Sequence, residues 1–542
     1  MQSKHYGIWP EDLPHSLPSS PNSVYWNLIN SAKKAPNAVA INFYKNELCY
    51  IELLKNVKSL AGYLYHVMSI RENDRVALFM QNSPQFVIAY YAVLAANAVI
   101  VPVNPMCKNV ELEHILKDSN SKAVIFGDEL IHEVEGCNVK FKEECTLSVN
   151  YSEYISNSSG VDTPDFFRKT RPNLFCSSWL EALDMNLTAP DHTRVPEDWC
   201  IIPYSSGTTG QPKGCLHTHK SVNATASAYP SWLGVKNGSQ ILATLPLYHV
   251  TGMQHSMNLP IITGSTIHLM TRWNPKTAAI IIEKEKIQHW RSITTTMIDF
   301  LSLENIDSYD LSSLEAIGGG GAQMPKSLAN RMANLIGLDY IEAYGLTETM
   351  APIHINPITA PRKQCLGIPI FDVDSRIIDP KTTKELEPNE TGEIVTSGPQ
   401  VFNCYWNNIE ATRAAFVKLD GKAFFRTGDI GYYDEQGYFY FVDRLKRMIN
   451  VSGMKVWPAE VETILHSHPD ILEACIVGDP DPRTGERVRA VIVLSNDKND
   501  LPKEAFIDWC RMNMAAYKVP KTIDIRRFLP RGAAGKVLWR EL

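Results

Sequence analysis

A run of small and hydroxylated residues near the middle of the chain has the composition of a phosphate-binding loop. Tyr204 closes a short apolar stretch that predicts a buried strand, residues 205–210 follow it, and Lys213 lies just beyond. Small residues let main-chain N–H groups approach an anion, while hydroxyls and an ammonium add charge-assisted donors. A flexible surface turn is the alternative, and Pro212 stands where a Walker A loop needs glycine, which excludes that motif. The sequence therefore predicts a polyphosphate cradle, with the candidate ligands Ser205, Ser206, Gly207, Thr208, Thr209, Gly210 and Lys213.

The hexapeptide at 344–349 offers the other groups that a nucleotide site needs. Tyr344 presents an aromatic face for a base, Thr347 a hydroxyl for a phosphate oxygen, and Glu348 a carboxylate. Mg²⁺ usually binds one or two carboxylates together with substrate phosphates, so a single glutamate suits it. An ordinary loop after the strand predicted at 340–343 is the alternative.

Two further segments combine glycine or histidine with apolar neighbours. The four glycines at 318–321 end a predicted strand, and Gln323 stands where a dinucleotide-binding G-x-G-x-x-G fingerprint needs its last glycine. Missing Cβ atoms there predict room for a ligand, and a plain turn is the alternative. His249 lies in the apolar segment 245–252, where a satisfied core histidine is the alternative to a substrate contact. No acidic residue between positions 245 and 259 is available to pair with a substrate amine, which disfavours an amino-acid substrate.

The C-terminal part of the chain carries charged residues that suit a nucleotide and a pliable loop. Asp429 is predicted on a tight turn, where its carboxylate would accept both ribose hydroxyls, with an Asx-turn as the alternative. Arg444 and Lys446 follow a predicted hairpin and alternatively form a solvated basic edge. Lys536 follows two glycines in the segment 530–536 and is a compact cation that a loop can deliver into a site. An exposed tail lysine is its alternative.

The run Ser-Ser-Gly-Thr-Thr-Gly-Gln-Pro-Lys-Gly at 205–214 resembles the signature of the AMP-forming acyl-CoA synthetases. Their wider superfamily includes peptide-synthetase adenylation domains and beetle luciferases, and the resemblance extends over nearly the whole chain. It implies that Tyr344 stacks on adenine, that Thr347 contacts the α-phosphate, and that Glu348 holds Mg²⁺.

The same resemblance assigns the remaining pocket residues. The segment that contains Gly320 is implied to form a wall of the adenine and acyl pocket. His249 is implied to line the carboxylate-binding end of the acyl pocket. Asp429 is implied to accept the ribose hydroxyls, and Arg444 to contact the ribose and a phosphate.

A mobile C-terminal domain is also implied by the resemblance. Lys446 matches the hinge position, Gly453 lies in the loop that borders the pantetheine tunnel, and Lys536 matches the adenylation lysine. Gly532 replaces the threonine that the family usually carries in this last motif, which is a departure at a supporting position.

Alternating strand and helix patterns predict an α/β fold with a largely parallel sheet. The apolar run at 86–103 predicts a buried helix followed by a strand rather than a membrane span, and the polar stretch 140–176 predicts a surface excursion. Helical spacing also marks 27–32, 50–68, 110–116, 274–285, 458–465 and 502–512. Strand patterns mark 75–80, 123–126, 240–247, 265–270, 393–397, 437–442, 474–477 and 490–494.

The length of 542 residues is too great for one hydrophobic core, so two to four structural units are expected. We predict a large N-terminal domain at 1–443, with layered α/β subdomains, a β unit and the ATP and acyl sites. A small mobile α+β domain is predicted at 444–542, with a hinge near Lys446.

Composition and charge exclude several classes of protein. A formal charge of −6 argues against a general nucleic-acid binder. Eleven cysteines without a Cys-x-x-Cys pair indicate reduced structural thiols in a cytoplasmic protein rather than a disulfide framework or a zinc site. No signal peptide and no transmembrane segment is predicted. The sequence leaves a homodimer open.

These inferences converge on an AMP-forming acid–thiol ligase. Its expected substrates and cofactors are a carboxylic acid, ATP, Mg²⁺ and coenzyme A, and its products are an acyl-CoA, AMP and pyrophosphate. The segments 246–253 and 455–458 most resemble medium- and long-chain fatty acyl members, while aryl and short-chain acids stay open. Acyl transfer to a carrier protein and luciferase-like oxidation are alternatives within the superfamily. A catalytically silent nucleotide-binding regulator is disfavoured because it need not keep both Glu348 and Lys536.

Overall fold

The computed structural model of the chain describes residues 4–155, 163–168, 176–205, 211–321, 323–452, 454–495, 501–531 and 537–542. The chain divides into two compact units. The first comprises residues 1–375 and 396–425, and the second comprises residues 376–395 and 426–542. The unit boundaries therefore fall within strands of the β-rich region, while the predicted boundary at 443/444 stays a prediction.

Helices and strands alternate along much of the described chain. In chain order, the α-helices are α1 Tyr25–Lys34, α2 Tyr50–His66, α3 Pro84–Ala95, α4 Asn109–Ser119, α5 Ile131–Glu135, α6 Trp179–Asp184, α7 His219–Leu233, α8 Val250–Met253, α9 Leu259–Thr263, α10 Pro275–Glu285, α11 Thr294–Leu301, α12 Lys326–Ile336, α13 Ile409–Ala414, α14 Pro458–Leu465 and α15 Lys503–Asn513. The strands are β1 Val39–Phe43, β2 Asn46–Cys49, β3 Arg75–Phe79, β4 Val99–Val103, β5 Ser121–Gly127, β6 Thr146–Val149, β7 Ser177–Ser178, β8 Trp199–Ile201, β9 Tyr204–Ser205, β10 Lys213–Thr218, β11 Gln240–Ala243, β12 Thr266–Leu269, β13 His289–Ser292, β14 Ala316–Gly319, β15 Tyr340–Leu346, β16 Ala351–Ile355, β17 Ile368–Pro369, β18 Asp374–Ile378, β19 Gly392–Ser397, β20 Cys404–Tyr405, β21 Phe416–Leu419, β22 Lys422–Tyr433, β23 Phe439–Arg444, β24 Ile449–Val451, β25 Met454–Val456, β26 Ile471–Asp481, β27 Gly485–Leu494 and β28 Thr522–Ile525.

The first unit is built on two large sheets, which confirms the predicted α/β class. The first sheet has the strand order β17-β16-β15-β14-β13-β11-β12-β1-β2, and its strands from β15 to β1 run parallel. The second sheet has the order β20-β10-β8-β4-β3-β5-β6-β7, with β9 paired to β10, and is parallel from β8 to β7. Parallel strands need helical crossovers, which explains the alternating pattern in the sequence.

The apolar run at 86–103 folds as predicted, into a buried helix and a buried strand. The Ser83 hydroxyl oxygen accepts the Phe86 N–H at 3.2 Å, and Pro84 occupies the first turn, so the sequence itself sets the start of α3. Every residue of α3 is buried, and one apolar cluster joins α2 and α3 to both sheets. A helix covered on all sides has no polar face, which accounts for its uniform hydrophobicity.

The expected surface excursion at 140–176 is wrong for part of this stretch. Thr146–Val149 forms β6, a buried strand of the second sheet, and the Tyr151 hydroxyl after it accepts the Gln81 N–H at 2.9 Å. The short strand has two polar residues among four, so hydrophobic periodicity could not mark it. Residues 156–162 and 169–175 lie outside the described residues.

The second unit has a hydrophobic core of its own. The fourth sheet has the order β25-β24-β27-β26, with β28 beside β27, and α14 and α15 pack on it through Val461, Leu465, Phe506 and Cys510. Pro458 occupies the first turn of α14 as predicted. The third sheet, β18-β19-β22-β21 with β23 on β22, contains the strands in which the unit boundaries fall.

None of the helices in the described ranges has the length and hydrophobicity that crossing a membrane requires.

Candidate active site

The two strands that flank the predicted phosphate loop in the sequence are paired. Strands β9 and β10 pair antiparallel, with Ser205 opposite Lys213 and Tyr204 opposite Gly214. The Ser205 hydroxyl donates to the Lys213 carbonyl at 3.5 Å. Residues 206–210, which include the candidates Ser206, Gly207, Thr208, Thr209 and Gly210, lie outside the described residues. Lys213 is the first residue of β10 and is separated from this segment by two residues in the sequence.

Tyr405 joins Lys213 to Glu348. The Lys213 ammonium lies over the Tyr405 ring, 5.2 Å from its centroid, and the Tyr405 hydroxyl donates to Glu348 Oε1 at 2.8 Å. Burial, reinforced by the Glu348 charge, raises the pKa of the Tyr405 phenol, which therefore keeps the proton that it donates. The geometry brings together one cation and one carboxylate that the sequence singled out separately.

The Glu348 side chain fits a magnesium ligand. It is 8% exposed, its main-chain carbonyl accepts the Phe402 N–H at 2.8 Å, and only Oε1 is hydrogen-bonded within the described chain. No cluster of three or more His, Cys, Asp or Glu residues occurs in the described part. A hard cation that takes one carboxylate and completes its shell with phosphate and water needs no such cluster.

A strained turn presents Thr347 and Glu348. Gly345 is required because a Cβ there would lie 2.1 Å from the Ala351 carbonyl oxygen. Met350 and Ala351 have φ values of 48° and 78°, the left-handed region that costs energy for residues with a Cβ. The buried His217 imidazole contacts the Thr347 carbonyl at 2.9 Å through Nε2 and so stabilises this turn. The Thr347 hydroxyl makes no hydrogen bond to any described residue.

The other candidates of the first unit lie at the carboxyl edge of the first sheet. Gly320 follows β14, Tyr344 is near the end of β15, and His249 follows β11. In the sheet, β12 lies on one side of β11, whereas β13 and then β14 lie on its other side. The chain order therefore reverses direction between the neighbours β11 and β13, which is a topological switch point. Ligands of open α/β sheets bind at such a crevice.

His249 is exposed and begins α8. Its Nδ1 accepts the Thr251 N–H at 3.3 Å, so the side chain caps the helix. The alternative of a buried core histidine is therefore wrong for this residue, and its placement at the switch point leaves it accessible to a ligand.

The missing Cβ atoms of Gly319 and Gly320 leave space that the neighbouring strands occupy, not space for a ligand. A Cβ on Gly319 would lie 1.8 Å from the Ser292 carbonyl oxygen, and one on Gly320 would lie 2.3 Å from that of Ala343. These glycines therefore let β13 and β15 approach β14 closely. Gly321 has a φ of 86°, which favours glycine at the turn that follows.

In the second unit the structure pairs two of the predicted ribose contacts. Arg444 Nε lies 2.7 Å from Asp429 Oδ1, and the two residues face each other across β22 and β23. The predicted tight turn around Asp429 is wrong, because Asp429 lies within the twelve-residue strand β22. Gly428 there has a φ of 69°, so the local kink that suggested a turn occurs inside the strand.

The remaining candidates of the second unit lie at loops. Lys446 is exposed in a single 3₁₀ turn after β23. Gly453, in the loop between β24 and β25, and Lys536 lie outside the described residues.

Sequence reasoning missed Tyr405 and His217. Tyr405 reaches the site because β20 pairs with β10, with Cys215 opposite Tyr405, and this pairing joins segments that are far apart in the sequence. Nothing near Tyr405 in the sequence marks it. No sequence pattern indicated His217, because the strand β10 that contains it was not predicted.

Replacing Tyr405 by Phe is expected to lower kcat/KM for AMP formation about 10–100-fold, because a partner that orients a metal-binding carboxylate is lost. The half-saturating Mg²⁺ concentration in a pyrophosphate-release assay should rise. Tyr154→Phe is the control, since the Tyr154 hydroxyl is also hydrogen-bonded, as the acceptor of an Asn56 N–H at 3.3 Å, but lies outside the site. An unchanged Mg²⁺ dependence would show that Tyr405 does not position Glu348.

A buried glutamate on β15 predicts a pH-dependent stability. Burial raises the pKa of Glu342 to about 7, although its Oε1 accepts the Gln364 N–H at 2.6 Å. The folded state thus binds a proton that the unfolded state releases, so this stabilisation is complete below about pH 4.3 and is lost as the pH rises through 7. The loss is on the order of 3–4 kcal/mol. Glu342→Gln should reduce the difference in urea midpoint between pH 5 and pH 8, and equal differences in both proteins would contradict the assignment.

Comparison with known proteins agrees with this geometry. The family model described as AMP-binding enzyme matches residues 28–406, and the model of the AMP-binding enzyme C-terminal domain matches residues 460–536. The chain is 33% identical to a long-chain-fatty-acid–CoA ligase of Bacillus subtilis strain 168, over 98% of this chain and 96% of the relative. It is 31% identical to a feruloyl-CoA synthase of an Amycolatopsis species, over 95% of this chain and 97% of the relative.

The fold is shared with solved structures. ATP-bound MatB from Rhodopseudomonas palustris superposes with a TM-score of 0.84 at 23% identity, over 96% of this chain and 98% of that chain. The chain therefore belongs to the AMP-binding enzyme family, which confirms the resemblance and the expected AMP-forming acid–CoA ligase.

Proposed function

We propose that this enzyme uses ATP to activate an aliphatic carboxylic acid of medium or long chain as an acyl adenylate. It then transfers the acyl group to coenzyme A and releases AMP and pyrophosphate. The observation that carries the proposal is the contact of Tyr405 with both Lys213, which follows the predicted phosphate loop in the sequence, and Glu348. A cation and a carboxylate that contact one tyrosine suit a nucleotide polyphosphate with its metal ion.

The chemistry requires charge neutralisation more than proton transfer. A carboxylic acid is ionised near pH 7, so it can attack the α-phosphorus of ATP without a general base. Negative charge then develops on the phosphorus and on the departing pyrophosphate, and fixed donors stabilise it. Lys213 forms no ion pair with any described residue and is available for a phosphate oxygen. The Thr347 hydroxyl is available in the same way for the α-phosphate.

Glu348 would hold the magnesium ion through the oxygen that Tyr405 does not bond. Mg²⁺ supplies Lewis-acid neutralisation of the phosphate oxygens when bound. Tyr405 fixes the orientation of the Glu348 carboxylate. The His217 contact to the Thr347 carbonyl fixes the main chain that joins Thr347 to Glu348. Asp429, whose carboxylate is paired with Arg444, would accept the ribose hydroxyls.

The names of two relatives support the proposal of an aliphatic acid and keep one alternative. The Bacillus subtilis relative is a long-chain-fatty-acid–CoA ligase, which favours an aliphatic acid, and the feruloyl-CoA synthase keeps an aryl acid as the second candidate. A cytoplasmic location and a homodimer stay predictions from the sequence.

The test is ATP- and CoA-dependent AMP formation across saturated acids of graded chain length, with benzoate and cinnamate alongside. We expect AMP release that requires both an acid and Mg²⁺, with an optimum among aliphatic acids. A preference for cinnamate would select the aryl alternative. ATP binding without AMP release for any acid would overturn the proposal in favour of a silent nucleotide-binding protein.

A further inference from the structure

A buried arginine without an ionic partner among the described residues lies beneath the carboxyl edge of the first sheet. Arg291, on β13, is 4% exposed, and its Nη1 donates to the Ile341 carbonyl at 3.0 Å. Its Nη2 has no hydrogen-bond partner in the described chain, and the guanidinium forms no ion pair there. Arginine stays charged in proteins, and an unpaired buried charge is strongly unfavourable, so a partner that is not among the described residues is expected.

Gly318 provides the space that this guanidinium occupies. The strand register pairs Arg291 with Gly318, and a Cβ on Gly318 would lie 1.9 Å from Arg291 Nη1. The first glycine of the run therefore admits the arginine head. Gly318 precedes Gly320 by two residues, so at about 3.3 Å per residue the guanidinium lies roughly 7 Å deeper along the sheet than Gly320.

A π-helical turn closes the cluster from the side of the helices. His255 lies in the turn Gln254–Asn258, is 1% exposed, and its Nδ1 has no partner among the described residues. Burial and the nearby charges of Arg291 and His289 hold the pKa of His255 well below its ordinary value, so the imidazole is neutral. The Tyr229 ring of α7 packs edge-on against it, with centroids 5.5 Å apart. π-Helical turns are frequent at functional sites.

One segment connects this cluster to the proposed acyl carboxylate end. His249 begins α8, and the π-helical turn with His255 continues it directly. Six residues of helix span roughly 9 Å at 1.5 Å per residue. An acid with its reacting carboxylate near His249 would need a chain of roughly this length to reach the cluster of His255 and Arg291.

We propose that Arg291, assisted by His255, binds a second carboxylate at the far end of the acid, so that the preferred substrates are medium-chain dicarboxylic acids. This inference rests on the proposed function and narrows its acid. A planar guanidinium binds a carboxylate through directed N–H donors, and Nη2 supplies them here. A methyl-terminated acid would leave the charge of Arg291 buried without a partner, which discriminates against it.

The experiment compares acids in pairs of equal length: succinate, adipate, suberate and sebacate against butyrate, hexanoate, octanoate and decanoate. We expect a preference of at least about 100-fold in kcat/KM for one medium-chain dicarboxylic acid over its monocarboxylic partner. Arg291→Met should remove most of this preference and improve use of the monocarboxylic acid. Arg291→Lys keeps the positive charge but lacks the paired N–H donors of the guanidinium, so it should raise KM for the dicarboxylic acid. Arg331→Met is the matched control, because Arg331 also donates to a main-chain carbonyl, that of Leu301, but lies on α12.

A binding measurement complements the kinetics. The preferred dicarboxylic acid should raise the melting temperature of the wild type more than its monocarboxylic partner, and Arg291→Met should abolish the difference. If Arg291→Met does not fold, the proposal is tested by the KM of Arg291→Lys for the dicarboxylic acid and by the preference of the wild type. AMP release that is equal or greater with monocarboxylic acids would overturn this inference and leave the proposed function standing. A complete lack of AMP release with both series and with every aryl acid would overturn both.

Discussion

Glu348→Gln is expected to lower kcat/KM for acid-dependent AMP formation about 10²–10³-fold, the cost of losing one preorganised electrostatic group. The substitution replaces a buried carboxylate by a neutral amide of the same shape, whose oxygen can still accept the Tyr405 O–H. The fold should therefore survive while the hard anionic ligand is lost. Pyrophosphate release measured against Mg²⁺ concentration should show a half-saturation point raised more than about tenfold, and binding of ATP without Mg²⁺ should be unaffected.

Glu342→Gln is the matched control for that experiment. Glu342 is also a buried glutamate of the 340–349 segment, but its carboxylate accepts main-chain N–H groups of Gln364 and Met324 rather than facing the site. It should change stability against pH without changing the Mg²⁺ dependence. A Glu348→Gln enzyme with wild-type Mg²⁺ half-saturation would remove Glu348 from the metal site.

Local patterns in the sequence predicted the elements whose surroundings are uniform. The run at 86–103 is apolar throughout because α3 and β4 are covered on all sides, so no long-range knowledge was needed to identify it. Pro458 and the spacing of Val461 and Leu465 likewise predicted α14, since a helix start and one buried face are local properties.

Elements fixed by distant pairing could not be predicted in this way. Asp429 follows Gly428, a pair that locally favours a turn, yet pairing with β23 keeps both residues in a long strand. Thr146–Val149 is polar enough to suggest a surface loop, and its neighbour β5 in the second sheet makes it a buried strand. Tertiary contacts outweighed propensity in both cases.

The candidate site divides along the same line. Lys213, Thr347 and Glu348 could be identified from the sequence because an ammonium, a hydroxyl and a carboxylate are the groups that a nucleotide and its metal ion require. Tyr405 and Arg291 could not, since the importance of each comes from what lies beside it. Tyr405 matters because it contacts a lysine and a glutamate from two other segments. Arg291 matters because no described carboxylate contacts it.

Lys536→Ala is expected to slow acyl adenylate formation about 10²–10³-fold and to spare the second half-reaction. Two unit charges about 4 Å apart at an effective dielectric near 20 interact by about 4 kcal/mol, which a lysine at the α-phosphate would supply in the first transition state. In the second step a thiol attacks the acyl carbon and AMP leaves with the bonding electrons, and the hinge predicted near Lys446 would by then have moved Lys536 away from the phosphate. Arg531 and Val537, which flank residues 532–536 in the sequence, form an antiparallel bridge, and Val537 packs against a buried cluster that includes Val491. Loss of the Lys536 side chain should therefore leave the surrounding fold intact.

The two half-reactions can be separated because the intermediate can be supplied. Pyrophosphate release with acid and ATP measures the first step, and AMP release from added acyl adenylate and coenzyme A measures the second. Lys521→Ala, an exposed lysine of the same unit, should leave both rates unchanged. Equal losses of both rates in Lys536→Ala would mean that this lysine supports folding or general binding. A loss confined to the first step is the result expected if the Lys536 charge stabilises the negative charge that develops on the α-phosphorus and on the departing pyrophosphate.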